Sequence, residues 1–299
     1  MSSKNEPRLS KAERTSQARE QAKVIRDAQL KKEKRNGWLI RGGVLAAAVA
    51  IIVIIALIVI NTQKANEPIA DSGAVPSSMN AYGGITLGKD GVAIKPTTTE
   101  TTVDINNVPE LPTAPAEKAF DLDKIGIKAS AAGEPIQTVV YFDFMCPFCN
   151  QFETQYGPEL KALANEEKIT VEYRSLGFLD RLSGGTNYSS RAGAAAACVA
   201  DTSPDKYQAY LDKLFVEQPA ENSKGINNAT LAKYATEVGA TDITSCIDNK
   251  TFRPYQANTT LLASAHGIAS TPTVFMDGEQ WVSPEPFDDF KTRILAAKK

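Results

Sequence analysis

The chain has 299 residues, 42% of them hydrophobic, with 33 basic and 35 acidic side chains, four cysteines and one histidine. That length carries one or two cores, and a formal charge of −2 gives no overall basic field of the kind nucleic acid attracts. A single histidine and a single Cys-x-x-Cys exclude the usual four-ligand zinc arrangement, so no metal is expected.

Residues 1–41 hold twelve Lys and Arg against five acids, a balance of +7. Interspersed Glu argues for a solvated, lipid-facing tail rather than a nucleic-acid arm. Gly42 to Ile60 carries no charge. Nineteen helical residues reach about 28 Å, close to a bilayer's hydrocarbon thickness. The run is longer than a signal-peptide core, and Asn61-Thr62-Gln63-Lys64-Ala65 makes a poor cleavage site. Residues 42–61 are therefore expected to form one uncleaved transmembrane anchor. The basic tail then stays in the cytoplasm, and the rest, with 21 basic and 30 acidic residues, is exported. All four cysteines lie on that side, as an oxidising compartment allows.

Residues 62–119 have the composition of a linker. Small polar residues and scattered prolines to about Ser78 suggest a tether. A short hairpin is expected at 84–94, turning at Lys89-Asp90-Gly91, and Pro96 to Pro115 suggests a spacer.

Residues 120–299 show the pattern of one α/β domain. The β-branched and aromatic run Val139-Val140-Tyr141-Phe142 suits a buried strand. In the helix that follows, Phe148, Phe152, Tyr156 and Leu160 share a face. Ile169, Val171 and Tyr173 alternate with Thr170, Glu172 and Arg174, the period of a half-exposed strand. A helical insertion spans about 184–266. It includes a helix through Tyr207, Tyr210, Leu211, Leu214 and Phe215, with Pro204 at its start and Ser203 as cap. Helices ending at Gly239 and Gly267 follow. Thr273 to Met276, the turn Asp277-Gly278 and Gln280 to Val282 read as a hairpin, and Phe287, Phe290 and Ile294 mark a last helix.

Cys146 and Cys149 stand where the first strand meets its helix. Free N–H groups and the helix dipole favour a thiolate at Cys146, the attacking species in thiol–disulfide exchange. Pro147 fits a first turn. Cys146 should be the more exposed sulfur, with Cys149 directed inward. Asp143 reads as a strand-end residue bonded to backbone, or as a proton relay to Cys149. His266 reads as a helix-terminal residue. With no cysteine left over, Cys198 and Cys246, 48 residues apart, are expected to form a structural disulfide.

Cys146-Pro147-Phe148-Cys149 after Asp143-Phe144, together with Gly267-Ile268-Ala269-Ser270-Thr271-Pro272-Thr273, resembles the thioredoxin fold of membrane-anchored DsbA-like disulfide oxidoreductases of Gram-positive actinobacteria. The resemblance covers roughly Phe120 to the C-terminus. It implies a cis Thr271-Pro272 peptide facing the dithiol, with Thr271 and Pro272 holding an extended substrate by strand addition. It also implies no cofactor, reduced or unfolded exported proteins as substrates, and a quinone-linked membrane reoxidant resembling DsbB or vitamin K epoxide reductase. The best-known Gram-negative member has His where Phe148 stands, so a cation beside the thiolate is missing and an extreme oxidising potential is not implied. The same cysteines could serve a thiol reductase for a dedicated target such as cytochrome c assembly, or lie idle in a substrate-binding holdase.

Overall fold

The computed structural model describes residues 68–96, 100–109 and 121–298, with Glu20, Lys23 and Arg26 as exposed helical positions in the tail. The chain divides into two units, 1–64 and 65–299. The expected anchor at 42–61 lies outside the described residues, and among those described no helix is long and apolar enough to cross a membrane.

The second unit is built on a five-stranded sheet in the order β2-β5-β4-β6-β7, from Ile85–Leu87 (β2), Ile136–Phe142 (β4), Ile169–Ser175 (β5), Thr273–Met276 (β6) and Glu279–Gln280 (β7). Strands β4 and β5 run parallel, joined by helix α1 (Pro147–Asn165), and the other neighbours pair antiparallel. A separate two-stranded sheet joins β1 (Ser72–Ala74) to β3 (Thr102–Asp104). Between β5 and β6 comes the helical insertion: α2 (Tyr188–Thr202), α3 (Tyr207–Val216), α4 (Asn228–Glu237), α5 (Thr244–Asp248) and α6 (Arg253–Ala265). Helix α7 (Phe287–Ala297) ends the domain.

Alternation along β4 sorts two cores. Val140 and Phe142 join the large cluster containing Phe152 of α1 and Phe287 and Phe290 of α7. Val139 and Tyr141 join a smaller one with Phe275, Ala263 and Ile268. Phe152, Trp281 and Phe287 pack with ring centroids 5.0–6.0 Å apart, which fixes α1 against the sheet's far end.

Several sequence expectations change here. The stretch expected to be a linker with one short hairpin also supplies β1 and β3, and Met79 and Ile85 are buried. Three-residue strands have too short a period to stand out from a polar background. The hairpin at 84–94 forms and docks: β2 pairs with β5, Leu87 bridges Ala93, and Lys89–Gly91 makes the turn as a 3-10 helix. Strand β5 is not half-exposed, because Glu172 and Arg174 are buried as an ion pair, N to O 2.6 Å. The Arg174 guanidinium lies 5.5 Å from the Tyr82 ring centre and 5.1 Å from that of Tyr141. Gly84 passes so close that a Cβ there would come within 1.9 Å of the Glu172 carboxylate, so the N-terminal segment seals this pair from water.

Smaller differences have local causes. Ser203 does not cap the following helix; its hydroxyl instead pairs with Thr241, 3.1 Å away. Phe148 is 69% exposed while Phe152 and Leu160 are buried, because the first turn of α1 extends past the end of β4. The last hairpin turns at Asp277-Gly278, both at positive φ, but its second strand stops at Gln280.

Candidate active site

The end of β4 and the start of α1 form one continuous turn. Asp143, fully buried, accepts the Met145 N–H at 2.8 Å on one carboxylate oxygen and the Leu179 N–H at 2.9 Å on the other. Its own carbonyl accepts the Cys146 N–H at 3.1 Å. Cys146 is the N-cap of α1, with Pro147 in the first turn, where a missing N–H costs nothing. The Met145 and Leu179 bonds of Asp143 are the ones a strand-end residue bonded to backbone makes. Burial pushes its carboxyl up to about 6.

Cys146 and Cys149 are both free thiols in this structure. Their acidities diverge. The Cys149 thiol donates to the Cys146 sulfur and is the largest stabiliser of the Cys146 thiolate; burial opposes it, and the Thr271 side chain and the N–H groups of Cys149 and Phe148 assist. Together they bring Cys146 down to about 6, from 9.0. Burial first, and the neighbouring Cys146 second, push Cys149 well above 9.0. The order of exposure is as expected but its degree is not: Cys146 is 4% exposed and Cys149 1%. Cys146 is tucked against the 268–273 loop, its Sγ 3.4 Å from the Thr271 carbonyl oxygen, while Pro147 and Phe148 beside it are exposed.

The Thr271-Pro272 peptide is cis, and both residues are half-buried. A second cis bond, at Ser283-Pro284, belongs to no recognisable motif. Also unforeseen were two amides. Gln218, just beyond α3, donates to the carbonyls of Phe144 at 3.1 Å and Cys146 at 3.0 Å, and Asn150 of α1 donates to the Phe215 carbonyl at 2.5 Å. Neither belongs to a motif, so only the folded chain reveals them. Glu153, one helical turn after Cys149, accepts the Tyr173 hydroxyl at 3.1 Å, and burial raises its carboxyl to about 7.

Cys198 and Cys246 form a disulfide that ties α2 to α5, Cα to Cα 6.1 Å. His266 is the C-cap of α6, and burial, with Lys124 nearby, lowers its pKa. No group of three or more His, Cys, Asp or Glu among the described residues is placed to hold a metal.

Two vicinal thiols of opposed acidity, one resting on a cis-proline loop, have the arrangement that thiol–disulfide exchange requires. Comparison with known proteins agrees. Residues 131–296, more than half the chain, match the Thioredoxin family. The oxidised DsbA of Mycobacterium tuberculosis is 26% identical, with 71% of this chain and 92% of that one covered at a TM-score of 0.50. MdbA of Actinomyces oris, a thiol-disulfide oxidoreductase, shares the fold at 18% identity and a TM-score of 0.51, covering 75% and 92%. Among curated proteins, the serine/threonine-protein kinase PknE of M. tuberculosis is 30% identical over 167 residues, 53% of this chain. The chain spans only 29% of that kinase's length. This chain belongs to the thioredoxin family, and its domain is that of a DsbA-like protein disulfide oxidoreductase.

Proposed function

We propose that the protein introduces disulfide bonds into exported polypeptides. The observation that carries this reading is the place of the Cys146 sulfur, at the N-cap of α1 and 3.4 Å from the Thr271 carbonyl oxygen of the cis-proline loop. There the Cys149 thiol and nearby N–H groups lower its pKa to about 6. A stabilised thiolate favours the reduced enzyme, so its disulfide is an oxidant, which argues for oxidation over the reductase direction.

In the forward reaction a substrate thiolate attacks the Cys146 sulfur of the Cys146–Cys149 disulfide. The enzyme's S–S bond breaks, a mixed disulfide forms, and Cys149 departs and takes up a proton, as its raised pKa favours. A second substrate thiolate then attacks the substrate sulfur of the mixed disulfide. Cys146 leaves as a thiolate, a good leaving group at its acidity, and two electrons have passed from substrate to enzyme. Thr271 presents its backbone to an extended substrate, while Pro272 has no N–H to give. A quinone-linked membrane protein, DsbB-like or resembling vitamin K epoxide reductase, then accepts the two electrons from the reduced enzyme, and the Cys146–Cys149 disulfide re-forms. Residues 42–61 hold the domain on the outer face of the cell membrane, with the basic tail in the cytoplasm and the anchor in contact with lipid.

The test is oxidation of reduced, unfolded ribonuclease by the purified, oxidised chain. Recovery of ribonuclease activity is expected with the wild type and not with Cys146→Ala. Failure of the wild type would sink the oxidase reading.

A further inference from the structure

The insertion meets the dithiol turn through two side-chain amides that point in opposite directions. The Gln218 NH2 group bonds two carbonyls, Phe144 at 3.1 Å and Cys146 at 3.0 Å, which flank Met145. In return, the Asn150 amide bonds the Phe215 carbonyl at the end of α3. Phe215 also packs its ring on Phe144 and Phe142, at 5.5 and 5.7 Å. The Cys146 carbonyl is the one that opens α1, accepting the N–H groups of Cys149 at 3.1 Å and Asn150 at 3.2 Å. A donor on that oxygen therefore fixes the direction of the helix's first peptide groups, and with them the N–H groups of Phe148 and Cys149 that face the Cys146 sulfur.

We infer that Gln218 is a positioning residue for the exchange reaction, through which the helical insertion sets the redox equilibrium of the Cys146–Cys149 pair. It touches no reacting atom. It holds the carbonyl behind the nucleophile, while Asp143 holds the same turn from the core side through Met145. The inference rests on the exchange function proposed above and adds a residue to it. A movement of α3 when a substrate docks would be felt at the dithiol through this amide pair.

The experiment measures the equilibrium of the full-length chain with glutathione, together with the pH titration of Cys146, for wild type, Gln218→Ala and the isosteric Gln218→Glu. Tyr210→Phe serves as a control; it removes a hydroxyl that donates to the Leu231 carbonyl at 3.0 Å inside the insertion. Both Gln218 variants should form the disulfide more readily and titrate Cys146 at higher pH. One hydrogen bond's usual net worth corresponds to a shift of roughly threefold to tenfold, or about 15 to 30 mV for this two-electron couple. The control should lose thermal stability without that shift. A wild-type equilibrium constant and titration in both Gln218 variants would overturn the inference, as would an equal shift in the control. If the wild type itself does not exchange with glutathione, the function proposed above fails instead.

Discussion

Cys146 and Thr271 lie 125 positions apart in the chain, yet the sulfur of one rests 3.4 Å from the carbonyl oxygen of the other. That contact joins the two motifs into one centre, and its chemistry can be tested by titration.

With Cys146 lowered from 9.0 to about 6, alkylation of the reduced chain by iodoacetamide should follow a midpoint near pH 6, with Cys149 silent below pH 9. A depressed folded-state pKa contributes stability that is fully present above the unfolded value and lost as pH falls through the folded one. The reduced form should thus gain on the oxidised form by about 4 kcal/mol between pH 5 and pH 9. Urea unfolding of both forms at several pH values checks it; a midpoint of 8 or above for Cys146 would contradict the geometry.

Asp143, raised from 3.8 to about 6 by burial, titrates with the opposite sign. The folded state holds its proton more tightly, so stability from this group is lost as pH rises from about 4 to 6. In the oxidised protein, where Cys146 does not titrate, Asp143→Asn should remove a slope on the order of 3 kcal/mol between pH 3.5 and 7. An unchanged slope in the variant would show that Asp143 ionises normally.

Replacing Cys198 and Cys246 together by alanine should cost about 2–4 kcal/mol through the loop their bond closes. The exchange rate at Cys146 should stay at the wild-type value. A variant with intact stability but no turnover would make this second bridge part of the electron path.

Glu172→Gln should be among the most damaging single changes away from the dithiol, because it leaves the Arg174 charge buried with a neutral partner. Removing one member of such a pair usually costs about 3–5 kcal/mol. Gly84→Ala should be destabilising too, since its added methyl meets the Glu172 carboxylate. Thermal unfolding of both variants decides whether the N-terminal segment is structural.

Phe148, 69% exposed, is the residue between the cysteines that most differs from a cationic alternative. Phe148→His should lower the Cys146 pKa further and make the disulfide more oxidising, at about 30 mV per tenfold change in equilibrium constant. Equilibration with glutathione reads the shift; a less oxidising variant would mean that the exposed ring itself stabilises the thiolate.

The dithiol turn, the cis-proline loop and the second disulfide are legible because each is tied to a local pattern. Cys146 and Cys149 lie between a strand period and a helix period, Thr271-Pro272 belongs to a recognisable motif, and cysteine arithmetic paired Cys198 with Cys246. What escaped was held by distant partners. Glu172 and Arg174 alternate as solvent-facing residues do, and alternation cannot distinguish water from the Tyr82 and Gly84 segment that covers them. Gln218 follows a helix end with no local signature, and its two acceptors lie more than seventy residues earlier.

The placement of β2 has a further consequence. Laid along β5, and itself bridged to Ala93, it closes one border of the main sheet, while at the other border β7 is only two residues long. Neither side therefore offers a long row of unmatched N–H and C=O groups on which a foreign strand could template itself. In the function proposed above, where the clients are unfinished polypeptides, such borders keep the enzyme from co-aggregating with them.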